Sequence, residues 1–145
     1  MSDFKVLVEK VLKVENHPNA DRLSIVQIRG FNCISAKLDD GSHRYKEGDL
    51  VVYIPEDSVL PEWLLKKMQF WKDDKGTLSG KAGNRVKAVK LRDRVSQGIL
   101  YPVNFEIYEG EACYTVYSQE KEITVALGDS VADFLGITKY EPELP

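Results

Sequence analysis

Seven consecutive residues, His17-Pro18-Asn19-Ala20-Asp21-Arg22-Leu23, bring an imidazole, an amide, a carboxylate and a guanidinium together in the chain. Such an imidazole acts as a general base or a metal ligand when a nucleophile or further ligands converge on it. Nothing nearby supplies them. His43 stands in a separate polar turn, and Cys33 and Cys113 lie far apart with no Cys-x-x-Cys spacing. No residue is therefore assigned a catalytic or metal-binding role. His17, Pro18, Asn19 and Asp21 read instead as a structural signature. Pro18 confines His17 to extended backbone, and Asn19 and Asp21 can hydrogen-bond nearby backbone amides. The stretch becomes a rigid connector, and Leu23 opens the core face of the next strand.

A second group of residues has the chemistry of phosphate recognition. Residues 80–94 hold Lys81, Arg85, Lys87, Lys90, Arg92 and Arg94 against a single acid, Asp93. Cations on an exposed strand grip a phosphate backbone without reading its sequence. Arg22 and Arg44 are outliers to this run. Ser96-Gln97-Gly98 follows it directly. Gly98 permits a turn or a close backbone approach, while Ser96 and Gln97 offer hydrogen bonds. The candidate nucleic-acid-binding set is thus Lys81, Arg85, Lys87, Lys90, Arg92, Arg94, Arg22, Ser96 and Gln97.

The net charge of −3 conceals this patch. Residues 103–145 carry nine acids and two bases, or −7, so residues 1–102 sum to +4. A polyanion partner depends on the local patch and not on the average. With 145 residues, 43% hydrophobic and 30% charged, the chain has the make-up of one soluble domain. Its longest apolar runs, such as Leu50-Val51-Val52-Tyr53-Ile54, are too short to span a bilayer. The start lacks the basic-then-apolar pattern of a signal peptide. Two cysteines in strand-like contexts suggest buried, reduced thiols and an intracellular setting, cytoplasmic or nuclear.

The elements that must position these residues are mostly strands. In residues 4–14, Phe4, Val6, Val8, Leu12 and Val14 share one face at period two. Further strands are expected at 23–29, 32–38 and within 45–55, with a turn at Asp40-Gly41. Pro61 opens a helix over 61–71, in which Leu64, Leu65, Met68 and Trp71 recur at helical spacing. A Gly-rich loop at 72–84 precedes strands at 85–91 and 97–103. The first of these changes phase between Ala88 and Val89, which suggests a β-bulge near Ala88. Two more strands lie around 109–117 and 121–127. A short helix at 129–136 would be capped by Ser130 and stopped by Gly136. Phe4, Tyr53 and Trp63 read as core, and Phe70 or Trp71 as a stacking surface beside the basic loop.

Many short strands with one inserted helix describe a mainly β protein, an OB-fold Greek-key barrel. The helix takes the place between the third and fourth barrel strands. Residues 1–102 form the barrel core, 103–138 a β/helix extension packed on it, and 139–145 a linker that marks the chain as a module of a longer protein.

His17 to Leu23, together with the lysine-rich strand leading to Ser96-Gln97-Gly98, resembles the tRNA-binding OB family. The stretches at 45–63, 83–102 and 135–145 resemble more narrowly the amino-terminal OB module of nick-sealing, ATP-dependent RNA ligases. That resemblance covers roughly residues 4–142. It implies a non-catalytic nucleic-acid-binding module and a separate nucleotidyltransferase domain. That domain would carry a K-x-D-G lysine and use ATP with a divalent metal. It also implies a nicked duplex containing RNA as partner, no cofactor in this chain, and a monomer. No K-x-D-G occurs here; the nearest string, Lys72-Asp73-Asp74-Lys75-Gly76, breaks the spacing. Two other roles share these signals: a stand-alone or synthetase-appended tRNA binder, and an interaction module whose acidic half docks on a basic catalytic domain.

Overall fold

The computed structural model describes residues 4–141. Its first strand, β1 (Leu7–Asn16), changes phase in the middle. Val6 and Val8 are fully buried, as alternation demands, yet Val11 is buried and Leu12 is 47% exposed. The cause is a bulge. Val11 faces Ile28 and Lys13 faces Gln27 on β2 (Leu23–Ile28), so Leu12 is the extra residue. The single apolar face expected for residues 4–14 thus holds only as far as Val8.

The bulge lets β1 serve two sheet neighbourhoods. Its second half pairs with β2, which pairs in turn with β3 (Phe31–Ala36). Its first half pairs with β4 (Leu50–Ile54), from Leu7 opposite Tyr53 to Lys10 opposite Leu50. After β4 come β5 (Ser58–Val59), α1 (Glu62–Lys67), β6 (Trp71–Lys72), β7 (Lys75–Gly76), β8 (Val89–Leu91), β9 (Arg94–Ser96) and β10 (Ile99–Pro102). β10 returns to pair with β4, so the curled barrel sheet has the order β10-β4-β1-β2-β3. The helix therefore lies between the fourth and fifth barrel strands, not the third and fourth. The connection from β3 to β4 is built from turns around Asp40-Gly41 and Gly48, both glycines at left-handed φ, and leaves no length for a helix.

α1 is shorter than its apolar spacing suggests. Met68 caps it, and Gln69 takes φ +65, which turns Phe70 and Trp71 out of the helix. Leu64 and Leu65 fill the core beneath it. The loop expected at 72–84 begins as a hairpin, because Asp73 and Asp74 both adopt left-handed φ and close β6 on β7. No bulge accounts for the phase change near Ala88. Val86 N–H donates to Ser58 O at 2.8 Å and Ala88 N–H to a Glu56 carboxylate oxygen at 2.9 Å, so residues 85–88 follow the 56–58 segment. The chain then leaves that neighbour to form β8, and the two phases belong to two different partners.

Beyond the barrel, β11 (Asn104–Tyr108), β12 (Glu111–Ser118) and β13 (Lys121–Thr124) form a three-stranded sheet, followed by α2 (Ala132–Leu135) and β14 (Thr138–Lys139). Val131, not Ser130, stands at the start of α2, and no side chain caps it; Gly136, at φ +77, ends it. Residues 128–131 run beside the first half of β1, with Val8 N–H donating to Asp129 O at 2.9 Å and Val131 N–H to Val6 O at 2.8 Å. Val116, Val125, Val131, Leu135 and Ile137 share one buried cluster with Val6, Val8, Val52, Ile54 and Tyr101. A second cluster, with Val11, Val26, Ile28 and Cys33, fills the other end of the barrel. Thr138 and Lys139, the latter within the expected linker, pair with β5, and Tyr140 N–H donates to Asp57 O at 2.7 Å. Residues 142–145 of that linker lie outside the described residues. Cys33 is buried and Cys113 half-buried, both as free thiols. Among the described residues no helix is long and apolar enough to cross a membrane.

Candidate nucleic-acid interface

The connector at His17 to Leu23 and the basic run meet in space. β8 and β9 are joined by a two-residue turn, Arg92-Asp93, with φ of +51 and +69. This is the mirror-image turn that suits hairpin twist, but arginine takes left-handed backbone reluctantly. The connector holds it there. Asn19 Nδ2 donates to Arg92 O at 3.0 Å, and His17 Nε2 lies 2.8 Å from Leu91 O. His17 Nδ1 accepts the Asn19 backbone N–H at 3.0 Å, which leaves the proton on Nε2 and makes that atom the donor to Leu91. His17 is buried to 4% exposure and has no nucleophile beside it. Asn19 bonds across to the hairpin and not to its own turn. Asp21 is exposed and, among the described residues, forms no side-chain hydrogen bond, so the local bond expected of it is absent.

The other end of the hairpin is tied into the barrel. Ser96 Oγ accepts Ile34 N–H at 2.9 Å, and Gln97 exchanges backbone and side-chain bonds with Asn32 at 2.8 and 3.0 Å. These bonds draw the β3 edge toward β10 and curl the sheet. The Tyr53 hydroxyl donates to Gln97 O at 2.5 Å. Gly98, at φ +113, passes so close to β4 that an added Cβ would lie 2.6 Å from Ile54 O and 2.8 Å from the Tyr53 ring. Ser96 Oγ and the backbone and Oε1 of Gln97 thus make their hydrogen bonds inside the fold.

The basic residues divide into three sets. Lys90, Arg92 and Arg94 are exposed on the anchored hairpin. Register puts Lys90 beside Val95 on one face, and Arg94 beside Leu91 on the other. Arg85 and Lys87 form a second set around Asp57. Arg85 Nε and Nη2 lie 3.1 and 2.8 Å from Asp57 Oδ1, and its guanidinium stacks 3.6 Å from the Tyr140 ring centre. Lys87 Nζ is 3.5 Å from the same oxygen. The Arg85 hydrogen bond, helped by the charge of Lys87, holds the Asp57 carboxyl below its ordinary range. Lys81, in the turn closed by Gly80 and Gly83, and Arg22, within the connector, are exposed and separate; Arg44 donates to Ala36 O at 3.3 Å. A groove of about 500 Å³ runs beside the hairpin, lined by Ile34, Phe70, Leu78, Val86, Val89 and Leu91, with Arg85 and Lys87 at its edge.

The aromatic surface differs from the expected one. Trp71 is half-buried with Lys66 Nζ 5.2 Å from its ring. Phe31, at 36% exposure, stacks on Tyr53 with ring centres 5.1 Å apart, next to Gln97. Its position directly after the Gly30 turn was the available sequence signal. The one serine–histidine pair among the described residues, Ser24 Oγ 2.5 Å from His43 Nδ1, has a fully buried serine that no substrate reaches. Among the described residues no three His, Cys, Asp or Glu side chains converge to hold a metal ion.

Comparison with known proteins agrees with this architecture. A family model described as an OB-fold domain matches residues 5–103. No curated protein matches the chain. Among solved structures, a mutant of Naegleria gruberi RNA ligase with ATP and Mn superposes with a TM-score of 0.63 at 23% identity, over 96% of this chain and 36% of the ligase chain. The same ligase with PPi gives 0.61 at 22% identity, over 97% and 36%. The chain thus spans about a third of the ligase, and at this identity the likeness speaks for the fold. With a model matched over residues 5–103 and a curled five-stranded sheet of the right order, the chain belongs to the OB-fold domain family.

Proposed function

We propose that this chain is the nucleic-acid-binding module of an ATP-dependent RNA ligase that seals 3′-hydroxyl/5′-phosphate nicks in duplexes containing RNA. The observation that carries the reading is the hairpin of Lys90, Arg92 and Arg94, held rigid at its tip by His17 and Asn19 and at its base by Ser96 and Gln97. A preorganised set of cations loses little freedom on meeting phosphates. Phosphate contacts position a duplex without selecting its sequence, which suits an enzyme that seals breaks wherever they arise. The likeness to the Naegleria ligase supports the ligase context. In this reading Lys81, Lys87 and Arg22 add outlying contacts, while Arg85 chiefly maintains the fold. The adenylated lysine, ATP and the metal belong to a nucleotidyltransferase domain in the same polypeptide. In this reading the module's part is to hold and orient the duplex.

Titration of the 145-residue chain with a nicked duplex bearing RNA on its 3′-hydroxyl side, an intact duplex and tRNA, at two salt concentrations, tests the proposal. The expected result is salt-sensitive binding that favours the nicked duplex. A preference for tRNA would replace the ligase reading with a tRNA-binding one, and absence of binding would overturn both.

A further inference from the structure

The β11–β13 sheet stands out from the barrel with much of its surface uncovered. Every residue of β11 and β13 is exposed, and burial on β12 is confined to Thr115, Val116 and Ser118. Strand register sorts its side chains. Tyr108 lies opposite Glu111, and Tyr117 opposite Glu122, so both tyrosines and three carboxylates, with Glu106, share one face. Tyr108 is 68% exposed, and Ile107 reaches the same value on the reverse face. Tyr108, with Glu111 opposite it and Glu106 two residues before it on the same face, makes a mixed aromatic and acidic surface of the kind that marks contacts. Carboxylates interleaved with tyrosines recognise cations by charge and by the ring face. Lys67 of the same chain sits between two such rings, with Nζ 5.8 Å from the Tyr101 ring and 6.0 Å from that of Tyr117.

The chain carries a surface of matching chemistry. On the β8–β9 hairpin, Lys90 and Val95 share the outer face with Arg92 at the tip, and Val95 is 50% exposed. The hairpin is fastened to the β1–β2 connector and β3, whereas the β11–β13 sheet is fastened to the core beneath β4 and α1. The two belong to different sheets, and no strand pairing joins them among the described residues. We propose that the hairpin of one copy docks on the Tyr108/Tyr117/Glu111 face of a second copy, head to tail. A symmetric contact of the acidic face with itself would oppose like charges, so the contact joins unlike surfaces and, where it does not close as a two-fold pair, propagates into rings or short chains. Because the hairpin is also the proposed nucleic-acid contact, and in this respect the inference rests on that reading, RNA and self-assembly compete for it.

Sedimentation velocity on the 145-residue chain tests the proposal, comparing the parent with Lys90→Glu/Arg92→Glu and with Glu106→Lys/Glu111→Lys. The parent is expected to associate reversibly, at least tenfold more weakly when salt is raised from about 50 to about 300 mM. Each variant alone is expected to be monomeric with an unchanged melting temperature, and an equimolar mixture of the two to associate again. If the acidic-face variant does not fold, Tyr108→Ser on the same face replaces it, with the same loss expected. A parent that stays monomeric, variants that associate like the parent, or a mixture that stays apart would each overturn the proposal. Adding nicked duplex is expected to dissolve the assemblies. Assembly that persists with no RNA bound would sink the RNA reading and leave the self-contact standing, whereas RNA binding by a permanent monomer would do the reverse.

Discussion

His17 Nε2 donates a hydrogen bond to the carbonyl of Leu91, 2.8 Å away and seventy-four residues further along the chain. This bond, with that of Asn19 to Arg92, turns an exposed hairpin into a fixed part of the surface. A buried imidazole whose two nitrogens are both used inside the fold is a structural group.

His17→Ala leaves the Leu91 carbonyl and the Asn19 amide without these partners. It is expected to lower stability by about 1–3 kcal/mol, the scale of losing a buried hydrogen-bonded group. Asp21→Ala, at an exposed position, is expected to change stability by less than about 0.5 kcal/mol. Urea unfolding of both variants measures the contrast, and hydrogen exchange of residues 89–96 should rise in the histidine variant alone.

Gly98→Ala places a methyl against Ile54 O and the Tyr53 ring, at 2.6 and 2.8 Å, on backbone at φ +113. Two mechanisms then act together, steric overlap and a left-handed conformation unsuited to alanine. The expected cost is about 3 kcal/mol or more. A melting temperature within a few degrees of the parent's would show that β4 and β10 do not approach as described.

Among the cations, Arg85→Ala and Lys90→Ala/Arg92→Ala should part company. Arg85 loses its bonds to Asp57 and its stack on Tyr140, so its variant should melt earlier. The hairpin pair should melt like the parent yet bind nucleic acid more weakly. The slope of log affinity against log salt should fall by about 1 for each phosphate that is no longer neutralised. Thermal melts and titrations at several salt concentrations separate the two effects.

Asp57 makes the acid limb of stability testable. Its carboxyl pKa is held below the ordinary 3.8, first by the hydrogen bond from Arg85. A depressed carboxyl pKa stabilises the fold at pH above the unfolded value, and that contribution fades as pH drops through the folded one. Asp57→Asn should therefore be less stable than the parent near neutrality, with the gap closing below about pH 4. Unfolding curves across the acid range measure it; a gap that widens with acid would contradict the pairing.

The two thiols should report burial directly. Burial pushes the Cys33 thiol up to about 12, so it stays protonated and inert at mild alkaline pH. Cys113 is half-buried on the open sheet. A colorimetric thiol reagent is expected to find about one reactive group per native chain and the second only on unfolding.

The apolar alternations, the turn residues and the basic run were legible because they are local: side chains alternate every two residues, and glycine, proline and aspartate shape the chain within a few residues. From these come the strand segments, the barrel class, the role of Gly98 as a close approach, and the hairpin cations. What each strand edge pairs with is not local. The bulge at Leu12 exists because the halves of β1 have different neighbours along one edge, residues 128–131 beside the first and β2 beside the second. The phase change near Ala88 has the same origin, a change of partner between 56–58 and the hairpin. Arg85 and Lys90 are alike in sequence, yet one is held by Asp57 and Tyr140 and the other stands exposed on a hairpin face. Tertiary structure alone decided that, because side-chain hydrogen bonds and stacking are fixed by atoms brought together across the chain, and periodicity constrains only which way a side chain points.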